Sequence, residues 1–293
     1  MLRMRATMIA VAGVLLCSPI WAAETTEKVG EKVCAMCHST MADGFTKTIH
    51  AKTGHFGGDV ATCETCHGPG GRHATSGKAA DILNPSKIGG AAASQACIGC
   101  HGSRETLQHW IGSAHESLDV GCVGCHSVHG NQPGLLKAAS ELDTCIDCHN
   151  EQRASLRKRS THPLRDATRA DGAGQMACSS CHNPHGSVAE HLIAANSVND
   201  KCYECHQEKK APVLWEHSAV KEDCLTCHNP HGSNHEMMLT AKSPRLCQQC
   251  HEQGRHQTLA GQPGSFLVAN RGCVNCHASI HGTNNPSGIK IKH

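Results

Sequence analysis

The sequence contains 293 residues, with 21 Cys, 25 His and 29 Gly, while aromatic residues make up only 2% of it. Basic and acidic residues nearly balance, at 27 and 25. A chain of this length usually fills its interior with large apolar and aromatic side chains, so the composition excludes an ordinary globular domain. The abundance of Cys and His indicates a disulfide scaffold or a metal or haem protein.

Residues 1–23 have the composition of a secretory signal peptide. Arg3 and Arg5 provide the positive start, residues 6–17 are apolar, and Ala22 and Ala23 offer a cleavage site. The apolar run is too short to span a bilayer, although an uncleaved membrane anchor is the alternative interpretation. No later apolar run approaches spanning length, so we expect an exported chain that does not cross a membrane unaided.

All cysteines after residue 23, 20 in number, lie in ten copies of the motif Cys-x-x-Cys-His. Zinc and redox sites also use Cys-x-x-Cys, but they do not require His directly after the second Cys. The complete motif is typical of c-type haem attachment, in which two thiols bond to one porphyrin and the adjacent His is the proximal iron ligand. We therefore predict ten covalently attached haem c groups, with no disulfide and no free thiol.

The predicted attachment and proximal residues follow directly from the motif. The attachment cysteines are Cys34, Cys37, Cys63, Cys66, Cys97, Cys100, Cys122, Cys125, Cys145, Cys148, Cys178, Cys181, Cys202, Cys205, Cys224, Cys227, Cys247, Cys250, Cys273 and Cys276. The proximal ligands are His38, His67, His101, His126, His149, His182, His206, His228, His251 and His277.

Fifteen His lie outside the motifs, whereas only five Met follow the signal peptide. Met therefore cannot be the general sixth ligand, and we predict bis-His ligation with low reduction potentials. The chain repeats in five units, each with a haem motif, a lone His, a second haem motif and a trailing His. The resulting distal candidates are His50, His73, His115, His129, His162, His185, His217, His231, His256 and His281.

The trailing His is often only three residues past the proximal His, as in CHNPHG at 181–186 and 227–232. Two intervening residues span roughly 10 Å at most, too short to pass around a macrocycle. Each such His should therefore bind a neighbouring haem, and the spacing leaves open which one. The remaining histidines are predicted to lie on the surface or contact propionates, with the first two as substitutes for His50 and His115: His55, His109, His191, His235 and His293.

The segments between motifs are rich in Gly, Ser, Asn and Pro, which favour turns and loops. No segment shows sustained strand alternation, and short helices are expected around the motifs. One longer helix is predicted over 135–159, because five apolar residues have helical spacing: Leu135, Leu136, Ala139, Leu142 and Ile146. A basic cluster in this segment (Arg153, Arg157, Lys158 and Arg159) is interpreted as a solvated or propionate-pairing face, with a docking patch as the alternative; it lacks the aromatics of a nucleic-acid site.

Several runs resemble the periplasmic decahaem cytochromes of outer-membrane porin–cytochrome conduits, the MtrA/DmsE family. They are VNDKCYECHQEKKAPVLWEHSAVKEDCLTCHNPHGS at 198–233, KRSTHPL at 158–164, LCQQCH at 246–251 and CVNCHASIHGTNNPSG at 273–288. Trp215, Glu216 and the NPHG turns match as well as the cysteines, and the resemblance covers essentially all of the chain after the signal peptide.

The resemblance implies a multihaem cytochrome c that is mostly coil, with short α-helices around a near-linear ten-haem chain and little or no β structure. It implies two pentahaem modules, 24–150 and 151–293. It also implies insertion into an outer-membrane β-barrel partner, with electrons exchanged between periplasmic cytochromes and an extracellular cytochrome, reductase, metal oxide or ferrous iron. The location would be the periplasm, in association with the outer membrane.

Two other functions are compatible with a multihaem chain. One is a free periplasmic electron shuttle. The other is a multihaem enzyme, which needs an iron with an open position, often signalled by Lys in place of the motif His. All ten motifs here end in His, so we predict an electron carrier without a substrate site of its own.

Overall fold

The structure is a computed structural model that describes residues 27–52, 60–130, 132–164, 176–210, 212–251, 272–286 and 288. The predicted signal peptide and the candidate ligand His256 lie outside these residues. The described residues form short helices, 3-10 turns and coil, and they contain isolated β-bridges but no strand ladder. The prediction of a mostly coil, short-helix fold is confirmed.

The described part of the chain contains thirteen α-helices, and only one is longer than eight residues. They are α1 (Glu31–Cys37), α2 (Ser39–Thr46), α3 (Ile49–Lys52), α4 (Cys63–His67), α5 (Gly71–Ser76), α6 (Gly90–His101), α7 (Ala114–Ser117), α8 (Cys122–Cys125), α9 (Glu141–Ile146), α10 (Asn150–Ser155), α11 (Val198–Tyr203), α12 (Ser218–Glu222) and α13 (Arg245–Gln248). The 3-10 turns are Ala79–Asp81, Pro85–Lys87, Glu105–Leu107, Pro133–Leu135, Cys178–Ser180, Glu190–Leu192, Gln207–Lys209, Cys224–Thr226, Glu236–Met238 and Cys273–Asn275.

The two haem motifs of a unit have different places relative to their helices. The first motif of a unit lies at the C-terminal end of a helix, as in α6, which ends at His101. The second motif begins its own helical turn at its first cysteine, as in α4 and in the 3-10 turn Cys224–Thr226. Each unit is therefore two short helical segments, one ending and one beginning at a haem motif.

Three of the second motifs are followed by the same small hairpin. The proximal His forms an antiparallel bridge to a residue ten or eleven positions later, in the pairs His126–Leu136, His182–Ile193 and His228–Leu239. The turn between them places two consecutive residues at positive φ, namely Gly134 and Leu135, His191 and Leu192, and Met237 and Met238. Non-glycine residues adopt this conformation at a cost, so its recurrence indicates that the turn geometry is required.

The single helix predicted over 135–159 is wrong. Leu135 lies in the strained turn with φ of 54° and Leu136 is extended, so both belong to the hairpin. Helix α9 starts only after Ser140, whose hydroxyl accepts the Asp143 N–H. The chain then leaves helical geometry at His149 before α10 begins, so this segment holds two short helices after the hairpin and not one long helix.

Side chains do not fill the interior of this fold. Among the described residues, the buried apolar side chains are Phe45, Ala93, Trp110 and Ile193. Large apolar residues such as Met36, Ile111 and Leu118 are not covered by other side chains and are mostly exposed. A protein of this size cannot be stabilised by so few buried side chains, which agrees with an interior supplied by haem.

No helix in the described part of the chain combines the length and the apolar character that a membrane span requires.

Candidate haem sites

The structure pairs motif histidines with histidines outside the motifs. Each of nine motif histidines faces one of the predicted distal candidates, with ring centroids 5.9–6.4 Å apart. The pairs are His38–His73, His67–His129, His101–His50, His126–His185, His149–His115, His182–His231, His206–His162, His228–His281 and His251–His217. The tenth motif histidine, His277, is described, but the remaining distal candidate, His256, is not.

This spacing fits one iron between each pair of rings. A metal–imidazole bond is about 2 Å long, so two imidazoles on opposite sides of one iron have centroids roughly 6 Å apart. Six pairs have ring planes within 22° of parallel, while His50–His101 and His115–His149 are close to perpendicular. The residues present therefore fit a bis-His haem at each of these nine pairs.

The pairing follows a rule along the chain. The lone His of a unit faces the first motif of the next unit, as His115 faces His149 and His162 faces His206. In the second to fifth units, the trailing His faces the second motif of the preceding unit. The first unit has no predecessor, and its trailing residue His73 faces His38 of the same unit instead. Consecutive units are therefore joined by two His pairs that run in opposite directions.

Burial keeps several of the candidate distal ligands neutral. Desolvation is the main cause that lowers the pKa of the trailing histidines His129, His185, His231 and His281, and nearby histidines lower it further. Lys209 also lowers the pKa of His281, whereas Glu151 and Glu208 oppose the shift at His231 and His281. Neutral imidazole is the form that binds a metal. These four sites therefore favour the ligand-competent protonation state.

Backbone carbonyls set the orientation of many of these rings. The Nδ1 atoms of seven paired histidines lie 2.7–3.0 Å from a carbonyl oxygen, which can only accept, so Nδ1 must carry the proton and Nε2 is left to bind a metal. The pairs are His67–Leu83, His73–Lys78, His115–Pro184, His126–Gly134, His162–Pro230, His182–His191 and His228–Met237. Three of the carbonyls belong to the strained hairpin turns, which gives those turns a function.

His217 departs from this pattern. His115 and His162 donate to the proline carbonyl of an NPHG turn in the next unit. The corresponding turn after His217 is Ala278-Ser279-Ile280, one residue longer and without proline. The Nδ1 atom of His217 is buried and has no hydrogen-bond partner among the described residues.

In four of the five units a glycine follows the trailing His, and three of these glycines allow two units to meet. Gly186, Gly232 and Gly282 have φ values of 114°, 135° and 114°. A Cβ atom on Gly186 or Gly232 would collide with a backbone oxygen of the preceding unit, that of His109 or Ser155 respectively. On Gly282 it would collide with the Val213 side chain and crowd the Trp215 carbonyl oxygen. These glycines were not singled out from the sequence as ligand-positioning residues, although the repeated HG pair was visible in it.

The attachment cysteines interact in an alternating order. Within every unit, the thiols of the first cysteines of the two motifs lie next to each other, in the pairs Cys34–Cys63, Cys97–Cys122, Cys145–Cys178, Cys202–Cys224 and Cys247–Cys273. Between units, the second cysteines lie near each other, in the pairs Cys66–Cys100, Cys125–Cys148, Cys181–Cys205 and Cys227–Cys250. These interactions connect all ten motifs in sequence order. The twenty motif cysteines form no disulfide in the structure.

Comparisons with known proteins agree with this geometry. The family of the doubled CXXCH motif matches residues 115–154, 171–211 and 217–256. The multihaem cytochrome MtrA of Shewanella baltica (strain OS185) is 40% identical over 274 residues, which cover 88% of this chain and 80% of that protein. This chain belongs to the MtrA family of multihaem c-type cytochromes. The cytochrome is also similar to the c-type cytochrome OmcS of Geobacter sulfurreducens, at 23% identity over 80% of this chain and 59% of OmcS.

The cytochrome therefore carries covalently attached haem c and transfers electrons. The doubled-motif matches begin at a lone His or just before a second motif, so they pair the second motif of one unit with the first motif of the next. The motif pairs of the family are therefore offset by one motif from the five repeat units of this chain. Both divisions are consistent with the structure, because each motif lies close to the motif before it and to the motif after it.

The remaining predicted residues have structural roles or lie outside the described residues. His55 and His293 belong to the latter group. The carbonyl of His109 lies against Gly186, and that of His191 accepts a hydrogen bond from His182. In the basic cluster, Arg153 donates to the Ile146 carbonyl at 2.6 Å and Lys158 to Ser155 at 3.2 Å, which favours a structural interpretation for these two.

Proposed function

We propose that the cytochrome binds ten haem c groups, one at each motif, each with two axial His ligands. The nine His pairs at 5.9–6.4 Å support nine of these assignments. His256 is assigned to the tenth haem, opposite His277, because it is the candidate left over once the other nine are paired. Intact-mass measurement and a haem-to-protein ratio test this number directly, and a ratio below ten would remove specific motifs from the assignment.

Electrons pass along the haems in sequence order in this proposal. Each attachment sulfur is bonded to a haem edge, so interacting sulfurs bring consecutive haem edges together. The unbroken alternation from Cys34–Cys63 to Cys247–Cys273 is the observation that carries this part of the proposal. With ligands on both sides of every iron, the chain has no open coordination site, which supports a carrier without a substrate of its own.

The cytochrome acts as a conduit across the outer membrane, sheathed by a partner β-barrel. Nine steps of about 10 Å give a chain of roughly 90 Å, against about 40–45 Å for a bilayer with its headgroups. Most described residues are loops and 3-10 turns, whose backbone polar groups lipid cannot satisfy. A protein sheath would satisfy them, and membership of the MtrA family supports this arrangement. Periplasmic cytochromes would serve one end and an extracellular cytochrome, reductase, metal oxide or ferrous iron the other.

The conduit is tested in liposomes that contain a reduced dye, with an impermeant electron acceptor outside. The cytochrome together with its co-purifying barrel should oxidise the dye, and either component alone should not. Equal transfer by the barrel alone, or no stable complex between the two, would contradict the conduit. The second outcome would leave a soluble periplasmic shuttle.

A further inference from the structure

The two halves of a unit are held together by one polar side chain in four of the five units. In three of them a neutral side chain accepts the backbone N–H of the second motif's first cysteine: Ser94 from Cys122 at 3.2 Å, Asn199 from Cys224 at 2.8 Å, and Ser243 from Cys273 at 3.2 Å. In the third unit the corresponding residue is Glu141, four positions before Cys145. We call Ser94, Glu141, Asn199 and Ser243 the joint residues.

Glu141 is the charged member of this set. Its Oε1 accepts the Ser179 N–H at 2.6 Å and its Oε2 accepts the Ser179 hydroxyl at 2.8 Å. Because both oxygens act as acceptors, the geometry fits the ionised carboxylate, which has no proton to donate. The joint therefore places a negative charge where the other three joints have a neutral group.

This charge lies beside two haem attachment points at once. A carboxylate oxygen of Glu141 and the sulfurs of Cys145 and Cys178 all lie within 4.8 Å of one another. Among the described residues, no other carboxylate forms so compact a group with two attachment sulfurs. The thiols become thioethers when haem is attached, so this cluster is a haem joint and not a metal site. It sits between the fifth and sixth motifs, in the middle of the chain of ten.

We propose that Glu141 lowers the reduction potentials of the fifth and sixth haems, so that the central pair is the last to be reduced. This inference rests on the proposed attachment of a haem at each motif. A fixed negative charge favours the ferric iron, which carries one more positive charge than the ferrous iron. Solvent screens a half-buried charge only partly. Ser94, Asn199 and Ser243 are neutral. Other carboxylates also act on attachment cysteines, Asp223 on Cys202 and Cys224 and Glu31 on Cys63, but among the described residues neither forms so compact a group with two of the sulfurs.

The consequence is a chain with two more easily reduced sections and a low-potential centre. Each reduction adds one electron to one iron and forms or breaks no bond. At intermediate potentials electrons would occupy the haems on either side of the centre. The transfer between the fourth and seventh haems would then limit the flow through the whole chain.

The test is a potentiometric titration of the purified holoprotein, with dithionite as the reductant and the haem visible bands as the readout. Glu141→Gln keeps the size of the side chain and removes its charge. It should shift a component equal to two haems, at the low-potential end of the titration, to higher potential. Glu105→Gln is the matched control, because it removes the same charge from an exposed 3-10 turn.

A reciprocal variant tests the same charge at another joint. Asn199→Asp adds a carboxylate beside Cys202 and Cys224, and two haems should shift to lower potential. Both variants should retain the haem content and low-spin spectrum of the parent, which checks folding. A Glu141→Gln titration that coincides with that of Glu105→Gln would overturn the proposal. The titration uses the cytochrome without its barrel, so its result is independent of the liposome experiment.

Discussion

The imidazoles of His126 and His185 face each other across 6.1 Å between ring centroids, with planes 20° from parallel, although 59 positions separate them in the chain. Trp110, which is buried, packs its ring edge-on against His185 at 6.4 Å. The ring of His185 is therefore held in place by a third residue from yet another segment. We assign it as the distal ligand of the fourth haem.

Replacing His185 should open one iron. In His185→Ala the fourth haem loses its sixth ligand, so we expect about one high-spin ferric haem per protein by electron paramagnetic resonance and binding of one carbon monoxide after reduction. His235→Ala is the control, since the contact described for His235 is a backbone N–H bond to Ser233 that alanine keeps. A low-spin His185→Ala variant that binds no carbon monoxide would exclude His185 as the ligand.

The glycine after a trailing His should be essential for stability only where it lies against the backbone of the preceding unit. In Gly232→Ala the new Cβ would strike the Ser155 carbonyl, and φ of 135° is unfavourable for alanine. We expect a loss of about 1–3 kcal/mol in unfolding free energy and partial high-spin character as His231 is displaced. Gly130 follows the trailing residue His129 at the same motif position.

Gly130→Ala serves as the matched control for that experiment. A Cβ on Gly130 meets no atom within 4 Å, and its φ is not in the left-handed region. This variant should unfold at the same denaturant concentration as the parent and stay low-spin. Equal destabilisation by both substitutions would show that the glycine after the trailing His acts through its backbone flexibility alone, and not through the close contact between units.

The proposed pentahaem modules make a prediction about ligands across residue 150. Of the nine His pairs, only His126–His185 joins residues 24–150 to residues 151–293. A fragment of residues 24–150 should therefore contain one five-coordinate haem, and a fragment of residues 151–293 should contain none. Carbon monoxide titration of each reduced fragment measures the number. Two or more open haems in the first fragment would mean that the modules do not fold separately at this boundary.

Glu64 anchors the start of the described chain to the second motif. It is 8% exposed, and its carboxylate accepts the N–H groups of Val29, Gly30 and Gly70 at 3.0, 3.1 and 2.8 Å. Burial by itself raises the pKa of this carboxyl, but the three hydrogen bonds and Lys28 outweigh burial, so the pKa lies below its ordinary value of 4.5. The ionised form therefore stabilises the folded state above pH 4.5, and this contribution disappears as the pH falls through the lowered value.

Glu64→Gln should remove this pH dependence. The amide group of Gln places a donor against backbone donors, so we expect a loss of about 1–3 kcal/mol near neutral pH. As the pH falls below about 5, the parent should lose stability more steeply than the variant. Denaturant unfolding followed by the haem Soret band measures both effects, with Glu105→Gln as the control. Parallel pH profiles for parent and Glu64→Gln would contradict the role of this carboxylate.

The haem motifs and the type of fold could be predicted from the sequence because both depend on local chemistry. Cys-x-x-Cys-His places its three functional groups within five residues, and the scarcity of aromatics, together with Gly-rich and Pro-rich connections, is read from composition. The helix predicted over 135–159 failed for a non-local reason. Apolar spacing at Leu135 and Leu136 resembles a helix, but these residues form the turn whose Gly134 carbonyl accepts a hydrogen bond from His126.

The sequence alone determined which histidines were available as distal ligands. It also predicted that a trailing His binds a neighbouring haem, since two intervening residues cannot pass around a macrocycle. Only the tertiary structure decided the partners, such as His50 with His101 and His185 with His126. The physical reason is that a ligand pair is a contact between segments 34 to 62 positions apart, and its geometry depends on how consecutive units pack. That packing depends on the positive-φ glycines, the hairpin carbonyls and the joint residues acting together, and no one of them specifies a partner in isolation.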